Sequence, residues 1–184
     1  MDRRQKKTRK AIYGAFTELL KKESYSKITV QQIIDLADIG RTTFYSHFET
    51  KDDLLNALCS DIFDHVFSDD LVKEKNHDFS QVHDIRSQIT HMLYHLKEHM
   101  DYLPGILSGE SEDIFMSYFK KHLEELFSKV IVAPSGTAPI CYLINHTVCD
   151  FAETVRWWTK NQSYSPEDIC SFFYETIPAN QKDS

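Results

Sequence analysis

Residues 29–51, TVQQIIDLADIGRTTFYSHFETK, restrict the fold more than any other part of the chain. Thr29 with Gln32 three residues on is a capping box: the Thr hydroxyl accepts from the Gln32 N–H, and the Gln amide reaches back to the Thr29 N–H. Ile33, Ile34, Leu36 and Ala37 then give one short helix a buried side. Gly40 is placed to make the turn, because a residue without Cβ takes φ > 0 at little cost. Arg41 to Phe48 reads as a second helix, with Phe44 and Phe48 inward at i, i+4 and Thr42, Thr43, Tyr45 and His47 left outside. A short helix with a polar face on an apolar back is what the major groove admits, so the segment implies a helix-turn-helix.

The charge distribution supports that reading only once it is divided. The 184 residues carry a net −7, which taken alone disfavours a nucleic-acid partner. Residues 1–51 hold eleven Lys/Arg against six acids, a local +5, which leaves −12 for residues 52–184. A basic head on an acidic body draws one end toward phosphates and repels DNA from the other.

The remaining pattern is helical throughout. Ala11, Ile12, Ala15, Phe16, Leu19 and Leu20 recur at helical spacing, so a first helix is expected to start near the basic arm and pack on the helix-turn-helix. Lys51 opens a longer helix through Leu54, Leu55, Leu58, Ile62 and Val66, and residues 68–83 read as a polar loop or frayed helix. Ile85, Ile89, Met92, Leu93, Leu96 and Met100 make the next helix, stopped near Pro104-Gly105. Another runs from Ile114 to Val130 and ends at APSGTAP. From Ile140 to Val148 the chain is apolar on nearly all sides, so that helix is either buried core or a subunit interface. Ser165, Pro166 and Asp168 supply an N-cap, a first-turn proline and an acidic third position for the last helix.

Five Gly and five Pro leave little room for a many-turned β fold, and the expectation is an all-α chain. It has no run approaching 18 apolar residues and no N-terminal apolar segment, which places it in the cytoplasm. Cys59, Cys141, Cys149 and Cys170 form no CxxC pair and read as reduced, buried thiols. There is no phosphate-cradling Gly loop, GxSxG or HExxH, so no enzyme and no cofactor is expected.

Thr29, Ile33, Ala37, Thr43, Phe44, Tyr45, Phe48, Lys51, Asp53 and Leu54 together resemble the DNA-binding signature of the tetracycline-repressor (TetR) family. The likeness is close over about the first 60 residues. It departs at Gly40, where the family usually has Ser as helix cap, and at Thr42, where many members have Gly or Ala. The stretch RWWTKNQSYSPEDICSFFYETI resembles a C-terminal domain type common in such regulators. The resemblance implies a three-helix DNA-binding domain over residues 1–50 and a helical ligand-binding and dimerisation domain over 51–184. It further implies a homodimer through the last two helices and a palindromic operator. The family usually represses, and a small-molecule effector releases the DNA. By the same resemblance Thr29, Thr43, Tyr45, His47 and Lys51 hold phosphates, while Arg41, Thr42 and Ser46 face base edges. The hydroxyls and Lys51 are point donors suited to phosphate, whereas Arg41 can grip guanine bidentately.

The effector site is less legible. Phe67, Tyr94, Met100, Tyr102 and Phe115 are soft or aromatic residues on helices expected to converge, as are Met116, Phe119, Tyr142, Phe151 and Trp157. Residues of this type at helical spacing are as often plain core. Two alternatives stay open: control by a protein partner, which would leave Trp157, Trp158 or Phe173 exposed, or by a metal ion such as zinc. His91, His95 and His99 recur at i, i+4, i+8. Helix rotation points His91 mostly toward solvent and leaves His95 and His99, with His146 or Cys149, as the possible ligands.

Overall fold

The structure, a computed structural model, describes residues 3–66, 84–109, 111–131 and 137–176, and it is all-α. In chain order the helices are α1 Arg3–Leu20, α2 Val30–Ala37, α3 Arg41–Tyr45, α4 Lys51–Val66, α5 Ile85–Glu98, α6 Leu103–Ile106, α7 Ser111–Ser128, α8 Ile140–Lys160 and α9 Pro166–Thr176, with a 3-10 turn at Tyr25–Lys27. No strand occurs among the described residues. The chain divides into two compact units, 1–62 with 101–115, and 63–100 with 116–184.

In the first unit, Ile12, Ala15, Phe16 and Leu20 of α1 are buried together with Ile33, Ile34, Phe44 and Phe48. The helix runs through the basic arm from Arg3, because Arg, Lys and Gln propagate a helix well and no breaker separates them from Ala11. The expected stop at Pro104-Gly105 proves to be a short helix of its own. Pro104 occupies its first turn, where a preset φ is an advantage. Gly105 lies so close to the end of α1 that a Cβ would collide with the Leu20 carbonyl oxygen and crowd that of Glu23. Lys21 joins this corner by ion pairs to Glu18 and Asp101, each 2.7 Å.

The second unit is built on phenylalanine. Phe63, Phe119, Phe151 and Phe173 are fully or almost fully buried, with Phe151 and Phe173 edge to face at 4.8 Å and Phe63 stacked on Phe119 at 5.4 Å. Helix α9 packs against both α5 and α8. Its start is a complete box: the Asp168 N–H donates to Ser165 Oγ at 3.1 Å, and the Asp168 carboxylate accepts the Ser165 N–H at 2.9 Å. Buried Trp158 donates from Nε1 to the Tyr164 carbonyl at 3.0 Å and so fixes the turn between α8 and α9.

Two expectations are corrected. Cys59 and Cys170 are buried, but Cys141 and Cys149 are exposed, because they occupy the outward face of α8. Ile140 and Tyr142 of that helix are exposed too, so of its two readings buried core does not hold for its first turn. His91 is buried with His95, since α5 is covered over a wider arc than its apolar stripe alone marks out. The loop expected at 68–83 lies outside the described residues.

Candidate nucleic-acid interface

The interface begins at the cap of α2. Thr29 Oγ1 accepts the Gln32 N–H at 3.2 Å and Gln32 Oε1 accepts the Thr29 N–H at 2.7 Å, so two N-terminal donors are satisfied reciprocally. The turn after α2 is not made by glycine conformation. Asp38 holds the left-handed backbone, φ 52°, and Gly40 is extended at φ −75° as the cap of α3. An Asp tolerates that region better than most residues, which is why the turn closes without a glycine there. A Cβ at position 40 would meet only Thr43 Oγ1, at an ordinary 3.7 Å.

Helix α3 is short. The Phe44 N–H bonds Gly40 O at 3.1 Å and the Phe48 N–H bonds Phe44 O at 3.0 Å, so helical bonding carries one step past Tyr45. Phe44 is fully buried and stands 6.0 Å from Phe48, and together they form the rigid back. Arg41, Thr42, Tyr45 and Ser46 are exposed on the other side, with Thr43 and His47 half-buried. The Arg41 guanidinium lies 5.7 Å from the Tyr45 ring centre, a cation–π contact that keeps both on one surface. Ser46 Oγ donates to the Thr43 carbonyl at 2.7 Å and can still accept. Leu36, expected on the buried side of α2, is 50 % exposed, whereas Ile33 and Ile34 take the core.

Lys51 occupies a different position from its neighbours. Its Nζ donates to the carbonyls of Tyr25 at 2.8 Å and Ile28 at 2.7 Å and lies 4.0 Å from the Tyr25 ring centre. Burial pushes its pKa down, against a smaller raising pull from Asp52. Tyr25 in turn donates its hydroxyl to Asp52. Two of the three ammonium donors therefore clamp α4 onto the turn that leads into Thr29. A second device escaped sequence reasoning although its signature, Thr-x-x-Asp, is present: Thr50 Oγ1 accepts the Asp53 N–H at 3.0 Å and the Asp53 carboxylate accepts the Thr50 N–H at 2.9 Å. Arg3, Arg4, Lys6, Lys7 and Lys10 add exposed positive charge along α1.

The residues considered for an effector site do not share one environment. Phe119 and Phe151 are buried 6.2 Å apart in the phenylalanine core, with Met100 also buried. Tyr94 donates its hydroxyl to Glu167. Tyr102 and Phe115 are buried in the first unit, whereas Tyr142 and Trp157 are exposed on α8. Phe67 lies outside the described residues. His146 and Cys149 are exposed, and no group of three metal-ligating side chains occurs among the described residues.

Known proteins agree with this architecture. Residues 9–58 match the family described as bacterial regulatory proteins, tetR family, and residues 83–178 match one described as transcriptional regulator C-terminal region. A crystal structure of a TetR transcriptional regulator from Streptococcus agalactiae 2603V is 33 % identical, covers 96 % of each chain and superposes with a TM-score of 0.73. The dihydroxyacetone kinase operon activator DhaS superposes at 0.68 with 22 % identity over 95 % of this chain and 96 % of that one, a likeness of fold. In sequence, the dhaKLM operon transcriptional activator DhaS of Lactococcus lactis is 29 % identical over 67 % of this chain. The uncharacterized regulator YxbF of Bacillus subtilis is 38 % identical over 36 % of it. Those two alignments span 60 % and 19 % of the relatives' own lengths, less than two thirds in each case. With both of its units matched, the chain belongs to the TetR family of bacterial transcriptional regulators.

Proposed function

We propose that the protein is a homodimeric regulator that reads a palindromic operator with two copies of α3 and changes its hold on that operator when an effector binds the body. The observation that carries the reading is the exposed surface of Arg41, Thr42, Tyr45 and Ser46 on the buried Phe44–Phe48 back. In this reading Arg41, Thr42 and Ser46 meet base edges, while Thr29, Thr43, Tyr45 and His47 hold phosphates. Lys51 offers phosphate its third N–H while its other two fix the cap at Thr29. One head presents too few side chains for genome-scale discrimination, so two heads about one duplex turn or a multiple apart are needed.

The second copy has a surface to meet. Trp157, Tyr164 and Phe172 are all partly exposed and touch one another, with centroid separations of 5.3–6.5 Å, beside a shallow groove formed with Asp150, Glu153, Thr154 and Thr176. Aromatic clusters left on a helix pair mark association surfaces. Bound heads repress by occluding promoter DNA, and a small molecule entering near Met100, Phe119 and Phe151 releases them by favouring another dimer geometry. The name of DhaS, an operon activator, favours a second output in which the same bound dimer recruits transcription. No helix among the described residues is long and apolar enough to cross a membrane. This accords with work in the cytoplasm beside the chromosome.

Fluorescence anisotropy on labelled genomic fragments, competed with random DNA, tests the reading. Binding of two chains per site that survives a large excess of competitor is the expected result. Binding that random DNA removes from every fragment would refute sequence-specific recognition.

A further inference from the structure

His91 and His95 lie one turn apart on α5, and both are buried, 3 % and 1 % exposed. Their Nε2 atoms are 2.9 Å apart, yet the ring centres are separated by only 4.4 Å, with planes at 86°. The two nitrogens are within hydrogen-bond distance, and the ring-centre separation tells how the rings are inclined. A ring nitrogen lies about 1.1 Å from the centre of its imidazole, so an in-line N–H···N bond of this length would hold the centres about 5 Å apart. The observed separation is shorter, so the two nitrogen axes are not in line. For a symmetric arrangement they meet about 2.2 Å from each nitrogen at an angle of about 80°, close to the roughly 2.0–2.2 Å at which imidazole binds first-row dications.

We propose that His91 and His95 form a two-nitrogen site for a first-row transition-metal dication in the body of the protein. A near-right angle between donors suits the square-planar or octahedral preference of Ni²⁺ and Cu²⁺ better than tetrahedral Zn²⁺. The far side of His95 is also prepared: Glu98 Oε2 lies 3.9 Å from Nδ1. At that distance the carboxylate is not hydrogen-bonded to Nδ1, but its charge favours the Nδ1–H tautomer, which leaves the Nε2 lone pair for the metal. No third His, Cys, Asp or Glu completes a cluster among the described residues, so the remaining positions go to water or to oxygens of a chelating effector. His146 and Cys149 take no part. The effect of the metal on DNA rests on the regulator reading above, whereas the site itself does not.

The test uses the full chain with Cys141→Ser and Cys149→Ser, because these exposed thiols would otherwise bind the probe. Calorimetric titration with NiCl₂ and CuCl₂ should show one ion per chain. His91→Gln and His95→Gln should each weaken binding by at least ~100-fold, and Glu98→Gln by ~10-fold. Electron paramagnetic resonance of the Cu²⁺ form should show coupling to two imidazole nitrogens, a readout that needs no substitution at the pair and so survives a variant that fails to fold. Coupling to fewer than two nitrogens, or affinities unchanged in both His variants, would overturn the site. If the metal binds as described but leaves operator affinity unchanged, the site stands and its regulatory role falls.

Discussion

Tyr45 and Lys51 show how two side chains with the same expected partner are held by different physics. Tyr45 is exposed, and beyond the edge of Phe44 and the guanidinium of Arg41 it touches little. Lys51 is committed to two backbone carbonyls. We predict that Tyr45→Ala weakens binding to all DNA sequences alike and lowers the salt slope by about one, with a melting temperature close to wild type. Lys51→Ala should instead lose about 1 kcal/mol of stability, because Tyr25 O and Ile28 O are left to water, and should lose DNA affinity as well. Thermal melts paired with salt-dependent anisotropy separate the two. A Lys51→Ala protein that melts like wild type would contradict the clamp. The type of each residue was legible in the sequence. The direction in which the Lys51 ammonium turns depends on carbonyls some 25 residues earlier, and local spacing carries no record of them.

At the scale of elements, Gly105 and Asp168 govern how helices meet and begin. Gly105→Ala places a methyl group against the backbone at the end of α1, so the corner must open. We expect a loss of about 1–3 kcal/mol in denaturant unfolding, and a midpoint equal to wild type would show that the corner yields freely. Asp168 is fully exposed, yet its pKa is held below the ordinary 3.8 by the Ser165 backbone and hydroxyl donors. A depressed carboxylate contributes stability that is complete above the unfolded value, about 3.9, and is lost as pH falls through the folded one. Asp168→Asn should therefore flatten the fall of stability below about pH 4, and an unchanged acid limb would remove the box as its source. Most helices were visible as 3.6-residue stripes with caps, including the Thr29 and Ser165 starts. Less visible were α6, too short for a stripe to register, and the burial of His91, set by how far neighbouring helices wrap α5. The turn after α2 looked like glycine chemistry, whereas the structure puts the left-handed residue at Asp38.

At the scale of the whole molecule, reading a palindrome requires two heads held together. Trp157 and Phe172 are 44 % and 37 % exposed, so a charge there costs the folded chain little, yet buried against a second copy it would be unpaired and expensive. We predict that Trp157→Glu with Phe172→Glu keeps helicity and melting behaviour but sediments as a monomer at micromolar concentration, where wild type sediments as a dimer. A variant dimer as tight as wild type would move the interface elsewhere. The basic head and acidic body were legible from charge alone, and the helix pair proposed to join two chains only as an apolar stretch with two explanations. Recognition of a palindrome by two heads is tested by selecting binding sites from a random DNA pool with the wild-type protein. An inverted repeat whose half-sites are about one helical turn or a multiple apart should be enriched, and the enrichment should be lost when Arg41, Thr42 and Ser46 are replaced by alanine. No enriched sequence, or a single half-site without its mirror image, would contradict that recognition.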